Sequence, residues 1–106
     1  MTPGRHLWMP LALVLTMAAV PAHAETIRVT ISKLVFQPAN ITAKVGDTIE
    51  WVNEDAFAHT ATVKGSWEVM LPPKSVTSQK LDRAESVAYY CRFHPNMKGQ
   101  LTVTAP

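Results

Sequence analysis

Cysteine is the scarcest chemistry in this sequence: Cys91 is the one thiol in 106 residues. An internal disulfide is therefore impossible, although small exported domains usually rely on them. Charge of either sign is thin as well. Ten Lys and Arg face eight Asp and Glu, for a formal net charge of +2, and one of those positive charges is Arg5 near the start. Such a balance argues against a nucleic-acid partner and gives no membrane-surface signal. No window sustains a helical period. Internal repeats, low-complexity tracts and any sign of a second domain are also missing.

The one long apolar run lies at the start. Leu7 to Val20 follows Arg5 and His6 and ends in Pro21-Ala22-His23-Ala24, the small-x-small pattern of a signal-peptidase site. At about 14 residues it is short of the roughly 20 that a spanning helix needs. Residues 1–24 read as a signal peptide cleaved after Ala24, and no cysteine stands at the cleavage point to take a lipid. The expected location is the periplasm. The mature chain, 25–106, is then one domain of roughly 80 residues with no membrane span and only a modest core. In an oxidising compartment its odd cysteine is either a reactive thiol or a metal ligand, and a metal bond would both protect the thiol and staple the small fold.

Period-two alternation runs through that domain. Ile27, Val29 and Ile31 alternate with polar residues, as do Ile41, Ala43 and Val45 before a Gly46-Asp47 turn. Ile49 and Trp51 share a face of Thr48–Asn53, His59, Ala61 and Val63 a face of the next strand, and Val87, Tyr89 and Cys91 a face of a later one. Val76 to Leu81 and Gln100 to Thr104 complete the set. Trp67 to Lys74 is ambiguous, because Pro72-Pro73 forbids regular pairing. About seven to eight short strands separated by turns predict an all-β antiparallel sandwich or barrel.

The chemistry is concentrated in Cys91-Arg92-Phe93-His94-Pro95-Asn96-Met97, a Cys-x2-His-x2-Met pattern. Taken singly, Cys91 and Met97 read as core residues and His59 as a satisfied histidine. Together they supply a thiolate, two imidazoles and a thioether. That donor set suits copper in both oxidation states: trigonal His2Cys with a long axial Met is the blue-copper arrangement. The spacing lets one tight turn aim His94 and Met97 back at Cys91, while His59 arrives from another strand pair. Pro95 restricts the backbone after His94. Trp51, Trp67, Tyr89 and Tyr90 read as strand residues of a small core, and Lys74, Lys80 and Lys98 as solvated surface.

Across nearly all of 25–106 the sequence resembles the small type 1 copper proteins, the cupredoxins, and within them the amicyanin and plastocyanin branch. The resemblance rests on Phe36-Gln37-Pro38, on Ile41 through Asn53 followed by His59, on Tyr89-Tyr90-Cys91, and on His94-Pro95 with Met97-Lys98-Gly99. It implies a Greek-key β-sandwich and one copper ion held by His59, Cys91, His94 and Met97. It also implies an exposed His94 edge in an apolar patch to which Phe93, Pro95 and Met97 contribute. The function it implies is electron transfer without substrate turnover, with a dehydrogenase or c-type cytochrome as redox partner, since amicyanins pass electrons from methylamine dehydrogenase to a c-type cytochrome. A monomer is expected. Thr60 departs from the pattern, standing where this branch usually has an asparagine that ties the two ligand loops together.

The alternative is a copper delivery or storage protein of the same fold. Outside the leader, however, the chain has only Met70 and Met97 and no histidine cluster. A multicopper oxidase would need His-x-His motifs, a binuclear centre a second cysteine, and methionine is a poor zinc ligand.

Overall fold

The computed structural model describes Gly4 and residues 23–106. The expected leader, 1–24, lies outside the described residues except for Gly4, His23 and Ala24. Among the described residues no helix is long and apolar enough to cross a membrane.

Among the described residues nine strands form two sheets: β1 (Thr26–Ser32), β2 (Val35–Gln37), β3 (Asn40–Lys44), β4 (Thr48–Asn53), β5 (His59–Val63), β6 (Trp67–Leu71), β7 (Ser75–Lys80), β8 (Glu85–Tyr90) and β9 (Lys98–Thr104). One sheet runs β2-β1-β4-β7 and the other β3-β9-β8-β5-β6. Two of these strands are absent from a plain reading of alternation. β2 is only three residues long, and β6 is an edge strand that ends just before Pro72-Pro73. The sandwich is as the alternation predicts, but not every pair is antiparallel: β1 runs parallel to β4, and β3 parallel to β9. Each of these pairs joins strands that are not neighbours in sequence, so no hairpin links them.

The inward faces follow the alternation. Val29 and Ile31, Ile41 and Ala43, Ile49 and Trp51, and Leu101 and Val103 are all buried. Phe36, Trp51 and Tyr89 meet edge to face at the centre, with centroids 4.9–5.9 Å apart, the arrangement that aromatic quadrupoles favour. The Tyr89 hydroxyl donates to the Ala39 carbonyl at 2.8 Å. Gly99 lies directly opposite Tyr89 on β9, and the tyrosine ring fills the space where a side chain would stand. At the far end, buried Asp47 takes the Glu25 amide on Oδ1 at 2.9 Å and the Lys44 amide on Oδ2 at 2.8 Å.

Candidate metal centre

β5 is buried along its whole length, on both faces. It starts with His59 and pairs with β6 on one side and β8 on the other. Cys91 follows the last residue of β8 and is fully buried. Two backbone hydrogen bonds then close the loop into β9: Met97 N–H to the His94 carbonyl at 2.9 Å and Cys91 N–H to the Met97 carbonyl at 3.0 Å. The loop is thus a fixed turn on a strand pair.

This folding brings His59, Cys91 and His94 together. The two Nδ1 atoms are 3.2 Å apart, and the Cys91 sulfur lies 3.7 Å from that of His59 and 3.8 Å from that of His94. The point equidistant from these three atoms is about 2.1 Å from each, within the range of roughly 2.0–2.3 Å for first-row metal bonds to imidazole and thiolate. A soft thiolate beside two imidazoles is a donor set suited to copper. Met97, at the end of the loop, is only 3% exposed. That places its side chain inside the protein and corrects the expectation that it contributes to the surface patch.

His59 presents Nδ1 to the cluster because Nε2 is engaged. Asp55 Oδ2 stands 2.8 Å from it. An ionised carboxylate only accepts, so Nε2 carries the proton and Nδ1 keeps its lone pair. Asp55 is itself fixed: its carboxylate accepts the Lys33 and Leu34 amides at 2.7 and 3.0 Å, both at residues with positive φ. Burial alone would raise the Asp55 carboxyl, but these donors and the imidazole outweigh it and hold it below the usual carboxylate range. The preceding Asn53 anchors the loop from behind, its side-chain amide donating to the carbonyls of Phe57, Leu71 and Pro72 at 2.8–3.1 Å.

Thr60 supplies the tie between the ligand segments. Its amide donates to the Cys91 sulfur at 3.4 Å, and its hydroxyl accepts the Arg92 amide at 2.8 Å. On the outside, His94 is half-buried and Phe93 and Pro95 are exposed, as expected. Phe57 joins them, 63% exposed with its ring 6.5 Å from that of His94. Sequence reading passed over both Asp55 and Phe57. The signal was present in their position, four and two residues before His59 in the loop that delivers it.

Comparison with known proteins agrees with this geometry. Residues 6–103 match the cupredoxin-like domain family. The chain is 34% identical to methylamine utilization protein MauL of Methylorubrum extorquens, covering 95% of this chain and 93% of that protein. It is 29% identical to amicyanin of Paracoccus denitrificans, covering 81% and 71% respectively. A solved structure of a reduced amicyanin variant superposes with a TM-score of 0.63 at 30% identity, over 74% of this chain and 81% of that one. The chain therefore belongs to the cupredoxin-like family, on its amicyanin branch, with copper as its cofactor and electron transfer, not turnover of a substrate, as its class of function.

Proposed function

We propose that the mature chain, 25–106, is a periplasmic one-electron carrier, exported by a leader cleaved after Ala24, in which His59, Cys91, His94 and Met97 hold a single type 1 copper. The observation that carries this reading is the triangle of two Nδ1 atoms and one sulfur, with sides of 3.2, 3.7 and 3.8 Å. Copper supplies the Cu(II)/Cu(I) couple. The protein would supply donors already held in place by its own hydrogen bonds: Asp55 locks the His59 ring, Thr60 holds the Cys91 sulfur, and the backbone bonds of the loop tie the His94 and Met97 positions to Cys91. Met97 would add a weak thioether donor to this set.

The half-buried His94, the one member of the triangle near solvent, would be the route between a bound copper and the surface. Around it Phe57, Phe93 and Pro95 form an apolar surface on which a redox protein docks. The resemblance to a methylamine utilization protein and to amicyanin favours a dehydrogenase as donor and a c-type cytochrome as acceptor, with the chain working as a monomer.

Absorption and electron paramagnetic resonance spectra of the Cu(II)-loaded protein, followed by reductive titration, test the reading. The expected result is an intense red-region band with a narrow copper hyperfine splitting, both lost on reduction and regained on reoxidation. A pale tetragonal signal, or tight Cu(I) binding with no stable Cu(II) form, would overturn it in favour of copper delivery or storage.

A further inference from the structure

Four side chains and one amide beside the ligand loop form a closed ring of hydrogen bonds. The Arg92 amide donates to Thr60 Oγ1 at 2.8 Å, Thr60 and Thr62 share a hydroxyl–hydroxyl bond of 2.8 Å, and Thr62 Oγ1 donates to Glu68 Oε1 at 2.8 Å. Glu68 closes the ring by accepting the Arg92 side chain, Nε at 2.8 Å on Oε1 and Nη2 at 3.4 Å on Oε2.

Proton accounting fixes its direction. A hydroxyl has one proton to give. Thr62 gives its proton to the Glu68 carboxylate, which only accepts, so Thr62 must accept from Thr60. The single Thr60 proton is then committed to Thr62, and its oxygen is left to receive the Arg92 amide. Donation runs from the Arg92 N–H to Thr60, from Thr60 to Thr62 and from Thr62 to the Glu68 carboxylate, and bonds chained in one sense polarise one another. Thr60 is fully buried and Thr62 is 8% exposed, so water offers neither hydroxyl a ready substitute. Register makes the ring possible, since Thr62 on β5 faces Glu68 on β6.

We propose that Thr62 and Glu68 are positioning residues for the copper centre: they orient the Thr60 hydroxyl so that it pins the Arg92 amide, and thereby the peptide leaving Cys91, while the Thr60 amide rests on the Cys91 sulfur. The proposal rests on the reading of Cys91 as a ligand. It gives the exposed Glu68–Arg92 pair a task beyond its own stability, which is small for a surface pair. It also reaches the docking surface, because the Arg92 guanidinium lies 4.9 Å from the centroid of the Phe93 ring.

Thr62→Val removes the relay without changing charge, and Thr62→Ser restores it. The first readout is amide hydrogen exchange in the metal-free protein. Thr62→Val accelerates exchange of the Arg92 amide at least tenfold while the Val87 amide on β8 keeps its rate, and Thr62→Ser returns Arg92 to the parent rate. The second is the reduction potential. Loosening the Thr60 amide from the sulfur removes a donor that favours Cu(I), so the Cu(II)/Cu(I) ratio at fixed potential rises three- to tenfold, a fall of up to about 59 mV. Glu68→Gln, which abolishes the ion pair, supplies the same exchange readout if Thr62→Val does not fold. Unchanged Arg92 exchange, acceleration spread evenly over β8, or a potential equal to that of the parent would each overturn the proposal. Absence of a blue copper band in the parent protein would instead overturn the proposed function, and the exchange data would still decide the ring.

Discussion

Replacing Gly99 with alanine probes the packing that holds the stem of the ligand loop. Gly99 comes two residues after Met97, and its cross-strand partner Tyr89 comes two residues before Cys91. An added Cβ would collide with the Tyr89 ring and hydroxyl and with the Ala39 carbonyl oxygen. The tyrosine has no free direction in which to retreat: it is 1% exposed, its ring is held edge-on by Phe36 and Trp51, and its hydroxyl is bonded to Ala39. Overpacking of this kind costs about 1–3 kcal/mol. Loss of the Tyr89–Ala39 hydrogen bond adds about 1 kcal/mol, so Gly99→Ala should destabilise by about 3 kcal/mol. For a domain of roughly 80 residues this lowers Tm by about 12–24 °C. The assay is thermal and urea unfolding of the metal-free protein, followed by circular dichroism, in a cycle with Tyr89→Leu. In the Tyr89→Leu background the added methyl meets less and its cost should fall below about 1 kcal/mol, giving a coupling energy of about 2 kcal/mol. A Gly99→Ala protein within 1 kcal/mol of the parent, or equal costs in the two backgrounds, would refute the packing argument.

Cys91→Ser should abolish the intense visible band while the β-sheet circular dichroism persists; retention of the band would remove the thiolate from the site. Asp55→Ala leaves the Lys33 and Leu34 amides without their acceptor and frees the His59 ring, so copper affinity in a chelator competition should fall by about 10–100-fold. Copper at a thousandfold excess over its Kd should stabilise the folded chain by about 4 kcal/mol, read as a rise in Tm that a chelator reverses. The Asp47 carboxyl is held below its usual range by the Glu25 and Lys44 amides, and that of Glu68 by Arg92 and Thr62. Both therefore bind a proton less readily folded than unfolded. The stability they contribute is complete above the ordinary carboxylate range of about 4 and is lost as the pH falls through their lower folded values. Asp47→Asn should flatten the acid limb of a urea-unfolding series between pH 3 and 7, and an unaltered limb would assign acid loss to other groups.

What could be read in advance follows the range over which each feature is encoded. Cys91, His94 and Met97 sit within one turn, so their spacing alone exposes them. Inward faces such as Ile49 and Trp51 were equally legible, because alternation is local. β2 was not, since three residues carry too little pattern and its partner β1 lies across a turn of left-handed residues, Lys33 and Leu34. The parallel pairing of β1 with β4 was hidden for a related reason: nothing in either strand names a partner that a hairpin does not deliver. Asp55 reads as a loop acid until its carboxylate is seen between two amides and an imidazole. Thr62 and Glu68 acquire meaning only once the β5–β6 register sets them opposite one another. Thr60 looked like the loss of a tie, yet its hydroxyl and amide both reach the cysteine segment.

The Glu25–Asp47 contact has a consequence for the life history of the chain. In the uncut chain the nitrogen that donates to Asp47 is an ordinary peptide amide. On the proposed cleavage after Ala24 that same nitrogen becomes the amino terminus and carries a positive charge at neutral pH. Removal of the leader thus converts a neutral hydrogen bond into an ion pair with a carboxylate already aimed at it, and charge-assisted bonds are the stronger kind. If the chain is cut there as proposed, the same cut would also fasten the start of the first strand, Thr26–Ser32, through a charged contact where the uncut chain has a neutral one.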